Sequence, residues 1–358
     1  MIDFRYHLVS IVAVFLALAI GIVLGSTELQ GTTYNVLNRT TAKLQSEYDQ
    51  TRGQLATAQA QAGEGESFAQ AVEPAVLRDL LPGQRLLIVT EPGASSAAVA
   101  GITTAAADAG ATVTGQIALQ PKFFDTSATT RDSLNQTTLD LNQSINATLT
   151  SSDSYQEQAA QLIASEILAR SAGSAQPSGS ATASTQPSSG QGSDAQSVLA
   201  AYAQAGFLNT TEQPASQASL VVVVTPQTVP ADGSADQLDQ VLVPVVSGLA
   251  AKSSATVVAG TQAGSGAGSP IAVLRSNNAA NQVSTVDDAD LVSGQTVVIQ
   301  ALAAMLGGGK AASYGFAANG ASAVAPSPAP TPSPSPSASA SASPTATATS
   351  STKKKAKK

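Results

Sequence analysis

The chain has 358 residues, with 24 acidic and 17 basic side chains, one His and no Cys. Zero Cys excludes disulfides, thiolate metal sites and a Cys nucleophile, and one His excludes a His-pair zinc site and most relay chemistry. The net charge of −7 is uneven: lysines at 353, 354, 355, 357 and 358 leave residues 1–350 at −12, and an acidic body with a basic tip is unsuited to nucleic acid.

Residues 8–25 form an uncharged apolar run. As a helix, 18 residues span about 27 Å, close to the hydrocarbon thickness of a bilayer. Ala17-Leu18-Ala19 has the look of a signal cleavage site, but the apolar run continues through Leu24, whereas cleavage follows the apolar core. The expectation is a retained single-pass anchor over 1–26 in the cell membrane, with its start cytoplasmic and the bulk extracytoplasmic. Within it, Ala13, Ala17, Gly21 and Gly25 recur every four residues. Such a stripe lets two helix backbones approach closely, so these positions are candidate helix-packing residues.

Residues 27–73 read as a stalk. Tyr34, Leu37, Thr41, Leu44, Tyr48, Thr51, Leu55, Ala58 and Ala62 alternate by three and four residues, an a/d seam through four heptads. The seam predicts a coiled coil, with Tyr34, Leu37, Leu44, Tyr48 and Leu55 as its main contacts and a homodimer or heteromer as its product. Gly63, Gly65 and Pro74 are expected to end it.

An α/β domain with a mostly parallel sheet is expected over 74–324. Apolar runs at 85–90, 112–119, 220–225, 255–259 and 271–274 read as strands. They alternate with helices near 96–109, 235–251 and 294–306, as in a sheet covered on both faces. Residues 131–171 read as a polar helical insertion or lid. Residues 171–193 lack charges and large apolar side chains and are expected to be a disordered loop. Residues 325–358 form a Pro/Ser/Ala tail, also expected to be disordered, whose Lys tip is suited to acidic wall polymer or anionic lipid.

The chemistry-bearing motifs are sparse. Gly264-Ser265-Gly266-Ala267-Gly268 leads to Pro270 and an expected strand rather than opening a helix, so it is no phosphate cradle. Gly307-Gly308-Gly309-Lys310 follows a helix and precedes Ala311, so it is no P-loop. Glu91 stands at the carboxyl end of the first strand, where open α/β sheets place ligands, but no His or Lys accompanies it. Asp287, Asp288 and Asp290 are the one dense acidic cluster; capping of the helix near Leu291 is favoured over a hard cation. No catalytic residue, cofactor site or metal site is assigned, and the chain is expected not to be an enzyme.

The opening Met1-Ile2-Asp3-Phe4-Arg5-Tyr6-His7-Leu8-Val9-Ser10, the apolar run to Gly25, Ser284-Thr285-Val286-Asp287, Gly294-Gln295, and Tyr314-Gly315 after Lys310 are similar to one family. It is the actinobacterial envelope family named for a mycobacterial copper-transport protein (MctB-like), and the resemblance spans roughly residues 1–316. It implies copper efflux or tolerance, as part of an envelope channel. It also implies a link to cell division, where the coiled coil meets a partner and influences peptidoglycan hydrolysis. Copper(I) selects thiolate and thioether ligands and copper(II) imidazole. With no Cys, one His beside the anchor and Met305 as the one internal Met, direct copper binding is not expected. Thirteen scattered aromatics do not supply the girdles of a membrane barrel. The alternative reading is a non-enzymatic coiled-coil scaffold for division or wall remodelling.

Overall fold

The computed structural model describes residues 4–145, 149, 154–168, 191–212, 218–228, 235–277, 281–316 and 322–327. Most of the loop expected at 171–193, and the tail from 328 onward with its Lys tip, lie outside these residues. Helix α1 (Phe4–Leu77) runs unbroken for 74 residues. Its segment Arg5–Gly25 is long and apolar enough to cross a membrane, and none of it is buried within the chain. A side chain at Gly21 or Gly25 would meet nothing within 4 Å, so the small-residue stripe faces open space.

Gly63, Gly65 and Pro74 do not end α1, contrary to expectation. The reason is tertiary. The last turns of α1 pack on the final long helix, α8 (Val292–Leu306), with Leu77 fully buried and Val72 half-buried. Glu66 accepts from the Val292 backbone N–H, and Thr296 donates to Glu73 Oε1 at 3.3 Å. Packing of an amphipathic face outweighs the weak local propensity of two glycines and a proline near a helix end.

The domain is one seven-stranded sheet in the order β3-β2-β1-β4-β5-β6-β7. The strands are β1 (Arg85–Thr90), β2 (Thr112–Leu119), β3 (Leu208–Glu212), β4 (Leu220–Val224), β5 (Ala255–Ala259), β6 (Ser284–Val286) and β7 (Ser313–Tyr314). Only β3 is antiparallel to its neighbour. Successive side chains alternate between two cores, as the pleat requires. Leu87, Val89, Val221, Val223 and Val258 enter one core; Leu86, Ile88, Val222, Val224 and Val257 enter the other. Burial on both faces explains why these strands read as continuous apolar runs rather than alternating ones.

One face carries the end of α1, α2 (Ser96–Asp108) and α8. The other carries α3 (Ala128–Ile145), α4 (Tyr155–Ile167), α5 (Gln191–Gln204), α6 (Ala235–Ala250) and α7 (Pro270–Ser276). The insertion expected at 131–171 is therefore not a lid. Helix α4 is largely buried against α6, and the Thr138 hydroxyl meets the buried Tyr202 hydroxyl at 2.8 Å to tie α3 to α5. Residues 191–193, assigned to the loop by their Gly/Ser content, are the first turn of α5, whose Val198, Leu199 and Tyr202 anchor it in the core.

The apolar run Ile271–Leu274 is helix α7, not a strand. Ser269 Oγ accepts from the Ala272 N–H at 3.1 Å, and Pro270 occupies the first turn, where its missing N–H costs nothing. A four-residue apolar run does not distinguish strand from buried helix. The loop Gly264–Gly268 is a structural turn: Gly264 N–H donates to Thr261 Oγ1 at 3.1 Å, and Thr261 donates to Gln227 O at 2.7 Å. Gly307 and Gly308 (φ +85°) terminate α8.

Candidate functional site

The carboxyl edge of the sheet gathers the acidic residues that the sequence singled out. At its β6–β7 end, Arg275 and Asp287 form an ion pair at 2.7 Å, with side chains 4% and 0% exposed. The other two guanidinium nitrogens are also engaged: Nε donates to Thr285 Oγ1 at 2.9 Å and the second terminal nitrogen donates to Tyr314 O at 2.7 Å. Asp287 Oδ1 accepts from the Phe316 N–H at 2.9 Å. Gly315 (φ +122°) has no room for a side chain, since a Cβ would fall 2.1 Å from Asp287 Oδ1. Thr285, Asp287, Tyr314 and Gly315 thus meet in one buried knot.

Asp287, Asp288 and Asp290 do not cap α8, contrary to expectation. The residue flanking α8 is Leu291, which has no capping side chain, and the first helical N–H goes instead to Glu66 from α1. Asp290 accepts from the Gln262 N–H at 3.2 Å. Asp288 Oδ1 is buried and finds no hydrogen-bond partner among the described residues. Burial, then the neighbouring Asp287 carboxylate, pushes Asp288 up to about 6. Gly294 lies against it, where a Cβ would sit 2.0 Å from Asp288 O. Gln295 Nε2 donates to Ala289 O at 3.1 Å, and its amide fills the space left by Gly101 on α2. Among the described residues, no three of His, Asp and Glu gather as a metal site requires.

The second acidic position is Glu91, directly after β1. Its backbone N–H bonds Val224 O at 2.9 Å, which fixes it at the point where the strand order reverses. The loops after β1 and β4 are stitched together there by the Ala94–Pro226 bridge and by Gln227 N–H donating to Gly93 O at 2.9 Å. These contacts join the two loops, and a cleft of about 640 Å³ lies between α2 and the end of β2. Thr90, Glu91, Pro92, Ser96, Thr103 and Gln116 are among its walls. Glu91 is 4% exposed, and its Oε1 has no partner among the described residues. Burial without a counter-charge pushes the carboxyl up to about 8, so it is protonated at neutral pH.

Seam residues Leu37, Leu44, Tyr48 and Leu55 lie on α1 with 57–62% of each exposed. Tyr34 falls within α1, but its side chain is outside the described ones.

Two outcomes follow from these environments. Arg275→Met leaves the Asp287 carboxylate buried beside no cation, and urea unfolding should show a loss of about 3–5 kcal/mol, partly recovered on adding Asp287→Asn. Glu91 is released near 4.5 in the unfolded chain and held to about 8 in the folded one, so its ionisation erodes stability as pH climbs through that interval. Asp288 acts in the same sense between 3.8 and about 6. From pH 6 to 8, Glu91→Gln should therefore remove a downward slope of up to about 1.4 kcal/mol per pH unit. Thermal melts of both proteins across that range check the difference.

Residues 1–326 match the family described as "Copper transport outer membrane protein, MctB". Proteins named "Copper transporter MctB" from Mycobacterium bovis and Mycobacterium tuberculosis are each 28% identical to it over 321 residues, covering 88% of this chain and 96% of theirs. The protein of that name from Mycobacterium leprae is 26% identical over 322 residues, with the same coverage. The match runs from the apolar helix through the Arg275–Asp287 knot, and the chain belongs to the MctB family of copper transport proteins.

Proposed function

We propose that this chain is a single-pass, membrane-anchored component of copper efflux or tolerance. It holds its α/β domain outside the cytoplasm and acts through partners rather than by coordinating copper itself. The observation that carries this reading is α1: one helix joins an unburied apolar span to a domain docked on its far end. The names of the mycobacterial relatives supply the copper connection. The ligand chemistry supplies the restriction to an indirect role. The chain has no Cys, and the internal Met305 receives a hydrogen bond from Ser284 at its sulfur, 3.3 Å away. The sheet is open and mostly parallel with helices on both faces, whereas membrane barrels are closed and antiparallel, so membrane attachment belongs to α1. The residues lining the cleft beside Glu91 include no His or Lys to pair with it in acid–base chemistry, which supports a non-enzymatic role.

A second reading, a scaffold for division or wall remodelling, is favoured by the exposed apolar seam on the stalk. One deletion strain separates the two. Copper transport predicts growth arrest at several-fold lower copper and raised cell copper, with normal septa and rescue by the intact gene. Septation defects at ordinary copper, with unchanged tolerance, would instead identify the scaffold.

In either reading the working form is an assembly, a homodimer or a heteromer, joined by the membrane helix and stalk. The stripe Ala13, Ala17, Gly21 and Gly25 supplies close packing where lipid gives no hydrophobic drive. The seam through Tyr34, Leu37, Leu44, Tyr48 and Leu55 is weak alone, and tethering beside a paired membrane helix raises its effective concentration to roughly millimolar. The Lys tip is suited to acidic wall polymer or anionic lipid. Leu44→Cys should give a disulfide-trapped dimer in membranes, several-fold less after Gly21→Leu with Gly25→Leu. Equal trapping in both backgrounds would show that the stalk pairs independently.

A further inference from the structure

Two charged side chains beside the α1 seam select its partner. Tyr34, Thr41, Tyr48, Leu55 and Ala62 stand at position a of the heptad, and Leu37, Leu44, Thr51 and Ala58 at position d. Of the charged residues in this stretch, Arg39, Lys43 and Asp49 fall at f, c and b, on the outer side. Glu47 at g and Arg52 at e border the seam, and both are exposed. In a parallel pair in register, position g of one helix faces the e position five residues on in the other. Glu47 and Arg52 have that spacing, so two copies of the chain make the ion pair twice. In an antiparallel pair g meets g and e meets e, and the two charges never face each other. The contact Glu47 makes within α1, with Lys43 at 3.7 Å, is solvent-exposed and weak.

Register and extent follow from the same face. Pairing in register sets Leu37, Leu44 and Leu55 against their own copies, and Thr41 and Thr51 likewise. A slip of one heptad sets Thr51 against Leu44 or Ala58 and breaks both ion pairs. Two copies anchored by the same amino-terminal span also start at one depth in the membrane, which imposes that register. After Ala62 the next seam positions are Gly65, with no side chain to contribute, and Ala69, half-buried within the chain. A Cβ at Gly63 or Gly65 would meet nothing within 4 Å, so no close approach calls for glycine there, while glycine eases the bending of a helix. We propose that the occupant of the α1 seam is a second copy of this chain, parallel and in register over residues 37–62, selected by the Glu47–Arg52 pairs and parting at Gly63 and Gly65. This rests on the anchored, stalk-joined assembly proposed above.

The chain has no Cys, so single Cys replacements in the full-length protein read the pairing directly in membranes. Oxidised with diamide, Leu37→Cys and Leu55→Cys should each trap a homotypic dimer, and a mixture of the two should give no cross-link between 37 and 55. Gly65→Cys should trap several-fold less. On the Leu55→Cys background, Glu47→Arg or Arg52→Glu alone sets like charges across the seam and should lower trapping roughly threefold to tenfold. Combining the two replacements in one chain should restore it. The two single variants, differently tagged and co-expressed, should form mixed dimers well above the share of about one-half expected from random pairing. Cross-links between 37 and 55, or charge replacements that leave trapping and mixing unchanged, would overturn the proposal, and trapping at Gly65→Cys equal to that at Leu55→Cys would overturn the parting of the stalks. Release of the chain by alkaline carbonate would overturn the anchored reading and this proposal with it, whereas a carbonate-resistant chain that fails to trap overturns the proposal alone.

Discussion

Burial of α8 between the stalk helix and the sheet is the contact on which the rest of the arrangement depends. A 74-residue helix whose amino-terminal span is unburied has no intrinsic reason to hold a domain in one orientation. Helix α8 supplies it by packing on the end of α1, on α2, and on β5 and β6 at once. Such close approach needs small residues where backbones meet. Gly101 makes room for the Gln295 side chain, and Gly294 lets the start of α8 sit against Asp288. Glu66 then satisfies the first N–H of α8 from another helix, so capping and docking are one event.

The carboxyl edge shows two ways of treating an acid taken out of water. Asp287 keeps its charge beside Arg275, in a geometry that satisfies the guanidinium and ties α7, β6 and β7 together. An ion pair of this kind is not automatically stabilising, since desolvation opposes the attraction, but it penalises every arrangement that separates the two. Asp288 and Glu91 take the other course and hold their protons upward of the usual carboxylate range. Asp288 is enclosed by its neighbours; Glu91 borders a cleft.

Much of this was legible in the sequence because both faces of the sheet are covered. The apolar runs of β1, β2, β4 and β5 fall at or within a residue of their observed bounds. The errors share a cause. Ile271–Leu274 was ambiguous because a short buried run looks alike as strand or helix, and the decisive signal was Ser269-Pro270 before it. Strands β6 and β7 are too short and polar to announce themselves. The aspartates were misassigned as caps because the true cap lies 226 positions earlier, a distance no local rule spans. The position of Glu91 was legible, but not the stitching of Gly93 and Ala94 to the β4 loop or the cleft toward β2.

One geometric constraint joins the stalk to the domain. Tyr48 and Glu66 are 18 residues apart, about five full turns, so they face the same side of a straight helix. By the same count Leu37, Leu44 and Leu55 lie within about 40° of that side, and so do Glu73 and Leu77. The stripe open along the upper stalk is therefore the one that α8 covers lower down. A helix laid along the exposed seam runs toward the amino end of α8 and meets it near Glu66. The exposed seam and the docking surface share one face of α1, so a partner lying along the seam would have to stop near Ala62 or diverge there. In a parallel dimer each domain lies on the side of the opposite stalk, and the two stalks must splay before they reach the domains.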